Sequence, residues 1–118
     1  MISNKHRFHG HRALSHVYRF GETARGPLFG VKARLNDRRR SYRAAVVVGR
    51  KINKSAAARN RMRRRMYEAL RLMESEIEAP LDIVISIYSD SVQDASFAEL
   101  SKELKKQLRE IGIAKTAK

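Results

Sequence analysis

The residues best suited to chemistry lie in one run, Arg59-Asn60-Arg61-Met62-Arg63-Arg64-Arg65-Met66. A guanidinium stays charged and can donate two parallel hydrogen bonds to one phosphate. Asn60 adds a donor and an acceptor suited to base edges or 2′-hydroxyls. That chemistry is recognition of a polyanion. Ala58, Met62, Met66, Ala69, Leu70, Met73 and Ile77 share about 120° of arc at helical spacing, which predicts a helix over about 55–77 buried along one stripe. Set against the stripe, Arg59 and Arg63 leave from one flank and Arg61 and Arg65 from the other. Arg64 points outward with Asn60 and Arg71, and Lys51 and Lys54 extend the patch upstream. An ordinary solvated helix mixes its charges. Here like charges stack at 59/63 and 61/65, at a cost of roughly a few tenths of a kcal/mol per pair, which a bound polyanion would relieve.

The elements that must position this helix are legible from periodicity. Leu14, Val17 and Tyr18 have helical spacing, and Gly21 can cap that helix, predicted over about 11–20. Phe29, Val31, Ala33 and Leu35 alternate with Gly30, Lys32 and Arg34, predicting a half-buried strand with cations on its other face. Asn36-Asp37 begins an exposed turn. The run from Ala44 to Val48 predicts a central strand buried on both faces, and Leu81 to Tyr88 predicts another strand. Ser96-Phe97-Ala98-Glu99 fits a capping box opening a helix that carries Leu100, Leu104, Leu108 and Ile111. The order is α, β, β, α, β, α, with room for one more short strand. This is one α+β domain over 1–118, its ends at 1–7 and 113–118 expected to be flexible.

Charge supports the polyanion reading. The chain has 118 residues, with 26 Lys and Arg against 12 Asp and Glu, a net +14. Residues 38–71 carry 13 basic side chains and one acidic, whereas residues 74–118 carry six basic and nine acidic. Solubility requires no such concentration, and a polyanion site does. The absence of cysteine excludes disulfides, thiolate metal sites and a cysteine nucleophile. No apolar run approaches a membrane span and no secretory h-region follows Met1, so a cytoplasmic protein is expected. His6, His9, His11 and His16 are close in sequence, but a basic N-terminus repels a metal cation, and phosphate or base contact is the better use for them. Asp37, Asp82, Asp90 and Asp94 are scattered, with no Walker loop and no Ser-His-Asp pattern, so no catalytic residue is expected in this chain. The methionines at 62, 66 and 73 read as core.

The segment Gly49-Arg50-Lys51-Ile52-Asn53-Lys54-Ser55-Ala56-Ala57-Ala58-Arg59-Asn60-Arg61-Met62-Arg63-Arg64 resembles the signature of the bacterial ribonuclease P protein subunit. Glu68 and Arg71 continue the likeness, although Tyr67 stands where Arg is common. Arg7-Phe8, Tyr18-Arg19-Phe20-Gly21, Pro80-Leu81-Asp82 and the last amphipathic helix also fit. The resemblance implies a two-layer α+β sandwich with a small mixed sheet and a left-handed crossover through the Arg-Asn-Arg helix. It implies a partner, a large catalytic RNA that uses Mg2+ to cleave the 5′ leader from precursor tRNA, with no cofactor bound by the protein alone. Arg59, Asn60, Arg61, Arg63 and Arg64, with Lys51 and Lys54, would dock on that RNA, and Arg65 and Arg71 belong to the same cationic set. A cleft between the first helix and the sheet would hold the leader, using Leu14, Tyr18, Lys32 and Arg34. Leu14 and Lys32 replace aromatics frequent in the family, and Tyr88-Ser89 stands where basic residues are common, so contact with the leader should be more electrostatic and less stacked. Ordinary core packing is the alternative for Leu14 and Tyr18. A structural ribosomal-type RNA-binding protein, or a general binder of anionic surfaces, shares the charge and size. A monomer is expected outside the complex.

Overall fold

The computed structural model describes residues 11–36, 38, 40–77 and 80–111. The ends expected to be flexible, and Asp37, lie outside them. The chain runs α1 (His11–Phe20), β1 (Glu22–Arg25), β2 (Phe29–Leu35), β3 (Arg43–Val47), α2 (Ala56–Leu72), β4 (Leu81–Ile87) and α3 (Phe97–Ile111). Short 3₁₀ turns follow α2 at Glu74–Glu76 and β4 at Asp90–Gln93. The short extra strand is β1, which forms a hairpin with β2, closed by a bond from the Gly26 amide to Phe29 O at 3.0 Å.

The sheet order is β1-β2-β4-β3. β2 runs antiparallel to β1 and β4, while β3 and β4 are parallel and α2 connects them. This corrects one expectation. The Ala44–Val48 run forms an edge strand, and β4 takes the centre. Both strands are apolar on both faces, so burial alone could not order them. β3 is buried without being central because helices cover its two sides. Ala44 and Val46 join the main core under α2 and α3, while Ala45 packs with Val17 of α1 and Val84 of β4. The α2–α3 layer on the sheet makes the sandwich, and α1 crosses the opposite face.

The main core holds Phe29, Met62, Met66, Leu70, Ile83, Ile85, Leu100 and Leu104, all fully buried. Each such side chain contributes about 1.5–3 kcal/mol of transfer free energy. Ser55 caps α2, its Oγ accepting from the Ala58 amide at 3.2 Å. The helix ends at Leu72, earlier than the apolar stripe predicts, because the 3₁₀ turn carries Ile77 onward over the same core. Tyr67, outside the apolar arc, is nevertheless buried, and its Oη accepts from the Val46 amide at 3.2 Å. That bond fastens α2 to the edge strand. Asp82 is also buried, held by Arg43 Nε at 2.6 Å and Asn36 Nδ2 at 3.1 Å. Register explains this pair, since Arg43 lies directly opposite Asp82 on the neighbouring strand.

Candidate nucleic-acid interface

The cationic residues divide by what they touch. Lys51, Lys54, Asn60, Arg61 and Arg64 are exposed, as is Arg50, the residue before Lys51. Arg59 Nη1 donates to the carbonyls of Asn53 at 2.9 Å and Lys54 at 3.0 Å, folding the basic loop back onto α2. Arg63 Nη1 donates to Asn60 Oδ1 at 2.6 Å, and Arg61 Nη1 to Gln93 Oε1 at 2.8 Å. These side chains are steadied by neutral or carbonyl acceptors, so their charge is not neutralised. Arg71 differs. It bonds both carboxylate oxygens of Glu68, at 2.9 and 2.5 Å, and that bond holds the Glu68 carboxyl down at about 2.

Arg65 belongs to the protein interior side of the helix. Its Nε donates to Val92 O at 3.0 Å, its Nη2 to Ala95 O, and its guanidinium lies 4.5 Å from the centroid of the Phe97 ring. It thus joins α2 to the segment that leads into α3. Grouping it with the outward cations follows from helical spacing, but the carbonyls that claim it come from 27 and 30 residues away.

A second surface lies on the sheet face crossed by α1. Strand alternation places Thr23, Arg25, Gly30, Lys32 and Ser86 on this face, and Tyr88 continues it beyond β4. With Tyr18 and Val31 they line a hollow of about 220 Å³. Gly21 ends α1 by donating to Val17 O at 2.7 Å, and a Cβ there would stand 2.5 Å from Val17 O and 3.1 Å from Ala33 O of β2, so glycine is needed where α1 turns onto the sheet. Lys32 Nζ donates to Tyr18 O at 3.0 Å and sits 5.8 Å from the Tyr18 ring centroid. Arg34 and Arg19 each lie 5.5 Å from the Phe20 ring centroid. The Leu14 side chain and the four histidine side chains lie outside the described part of the structure.

Two further aromatics stand on this face that were not among the expected cleft residues. Phe20 is 57% exposed and Tyr88 42% exposed. Tyr88 lies against Gly30, where a Cβ would come within 2.8 Å of Tyr88 Cζ. The signal was present: a glycine in a strand marks a close approach, and residue 88 has the parity of Ser86. Sequence alone does not say which side chain fills the gap. Among the described residues, no three His, Asp or Glu side chains gather as a metal-ligand set. No described helix is long and apolar enough to cross a membrane.

The fold and these surfaces define a small α+β protein with a cluster of exposed cations on a crossover helix and the loop before it. Residues 2–112 match the family described as Ribonuclease P, and the chain belongs to that family. The ribonuclease P protein component of Chloroflexus aurantiacus (strain J-10-fl) is 40% identical over 73 residues, 62% of this chain and 53% of that protein. The chain therefore matches about half the length of that relative. The ribonuclease P protein component of Bartonella quintana (strain Toulouse) is 36% identical over 98 residues, 77% of this chain and 72% of that protein. The Staphylococcus aureus RNase P protein structure superposes with a TM-score of 0.77 at 19% identity, covering 92% of this chain and 96% of that one, and shows the fold to be shared.

Proposed function

We propose that this chain is the protein subunit of a ribonuclease P, binding its catalytic RNA on one surface and the 5′ leader of precursor tRNA on another. The observation that carries the reading is the arrangement of α2 and its preceding loop. Lys51, Lys54, Asn60, Arg61 and Arg64 stand exposed there, steadied where they are bonded by neutral partners. Arg59 and Arg63 support this surface from within it. Arg65 is assigned to the protein's own carbonyls, and Arg71 to Glu68.

The leader's place is the hollow beside α1. Lys32 meets phosphates there and Arg34, outside the hollow against Phe20, meets them beside it, while Tyr18 and Tyr88 offer faces to bases. Stacking one base on an aromatic is worth roughly 1–3 kcal/mol. Tyr88 thereby returns to this face an aromatic that Lys32 removes from it. Hydrolysis is carried out by the RNA with Mg2+. The protein's part is to neutralise phosphates and to hold the leader.

The test is cleavage of a 5′-extended precursor tRNA at low Mg2+ by a bacterial ribonuclease P RNA, with and without this protein, the protein alone serving as control. Cleavage restored only when both are present is the expected result. Tight RNA binding with no rescue across several ribonuclease P RNAs would favour a structural RNA-binding role.

A further inference from the structure

Asp90 stands where the two surfaces meet. It follows Tyr88 by two residues and opens the 3₁₀ turn packed on α2. Its Oδ1 accepts from Asn53 Nδ2 at 3.0 Å and from Gln93 Nε2 at 2.7 Å. Gln93 Oε1 in turn accepts from Arg61 Nη1 at 2.8 Å. Asn53 Oδ1 accepts from the Ser55 amide at 2.8 Å, and Asn53 O from Arg59 Nη1 at 2.9 Å. One carboxylate therefore links the basic loop, the start of α2 and two of its arginines. The base beneath it is firm, since Val92 is fully buried and Arg65 holds the Val92 and Ala95 carbonyls. Among the described residues, no Lys or Arg forms an ion pair with Asp90.

Coulomb's law by itself makes a carboxylate beside a polyanion site unfavourable, so its removal should tighten binding. The geometry points to the opposite sign. We propose that Asp90 is a positioning residue for RNA docking: it holds Asn53 directly, and Arg61 through Gln93, in the arrangement the RNA meets. The inference rests on the reading that the α2 surface binds RNA. Without Asp90 the loop and Arg61 must be ordered during association, which weakens it.

The experiment measures affinity of the full chain for a ribonuclease P RNA and for a second structured RNA. The variants are Asp90→Ala, Asp90→Asn, Asn53→Ala and the Asp90→Ala/Asn53→Ala double change. The Asn side chain keeps a carbonyl oxygen to accept both bonds and removes the charge. Asp90→Ala should weaken binding about five- to tenfold, the worth of one or two such bonds. Asp90→Asn should bind as tightly as the parent or more tightly. The double variant should be little worse than either single change, because the residues act as one unit.

Equal tightening by both Asp90 variants would leave only the charge and overturn the proposal, as would full multiplication of the two alanine effects. Amide exchange at Ser55 gives a second readout that does not need RNA. Faster exchange in Asp90→Ala and parental exchange in Asp90→Asn are expected, and unchanged protection in Asp90→Ala would overturn the brace. If Asp90→Ala does not fold, the Asp90→Asn and Asn53→Ala affinities decide: parental or tighter for the first and weaker for the second supports the brace, and any other pattern overturns it. A parent that fails to prefer the ribonuclease P RNA over the second RNA would count against the functional reading, while the contrast between the Ala and Asn variants still decides the role of Asp90.

Discussion

Arg64 and Arg65 are neighbours of one type, about 100° apart on α2. Arg64 faces solvent, whereas Arg65 meets two carbonyls and the Phe97 ring. A charged donor to a partly buried acceptor is worth more than a neutral one, and loss of Arg65 also leaves two carbonyls without it. Replacing Arg65 by Ala should therefore destabilise the protein by about 2–3 kcal/mol in chemical denaturation, while Arg64→Ala should leave stability nearly unchanged. Equal stability of the two variants would return Arg65 to the RNA-facing set. Arg71 shows the same principle at the surface, where Glu68, the one acidic residue of the basic stretch, occupies its guanidinium.

At the scale of elements, the cleft is made by three pieces that are distant in sequence. α1 ends tightly at Gly21, β2 presents Gly30 and Lys32, and the chain leaving β4 lays Tyr88 over Gly30. Tyr88 is exposed and contributes to no core cluster, so its removal should leave the fold intact. Tyr88→Ala is expected to raise KM for a precursor with a single-stranded leader by about 5- to 150-fold, the equivalent of one lost stack. Binding of the catalytic RNA should not change. A KM that stays constant, or a loss shared equally with a substrate lacking the leader, would remove Tyr88 from the leader site. Gly30→Ala should act in the same direction, because the added methyl displaces the Tyr88 ring.

For the whole molecule, the basic stretch over 38–71 and the net acidic segment over 74–118 make an asymmetric field. Binding through six to ten phosphates would lose roughly 10³–10⁵-fold in affinity between 50 and 200 mM salt. Arg61→Ala should flatten that salt slope by about one counterion. Lys105→Ala should not, since Lys105 lies on α3 and pairs with Glu76 at 2.8 Å. A flat response in the parent protein would refute the electrostatic account. Equal slopes for the two variants would leave net charge alone as the cause.

Much of this was legible in the residues. The spans of α1, β2, β4 and α3 follow from periodicity and caps, because those depend on neighbours a few residues away. The cationic helix and its basic loop follow from composition and spacing for the same reason. Tertiary structure decided what depends on partners far along the chain. It set β3 at the edge and β4 at the centre, although both runs are apolar on both faces. It buried Tyr67 beyond the apolar arc by giving its hydroxyl the Val46 amide. It drew Arg65 inward, set Tyr88 over Gly30, and tied Asp90 to Asn53 across 37 residues. A pattern of residue types says which faces are apolar or charged. Which donor meets which acceptor is settled only when the packed chain brings them within hydrogen-bond reach.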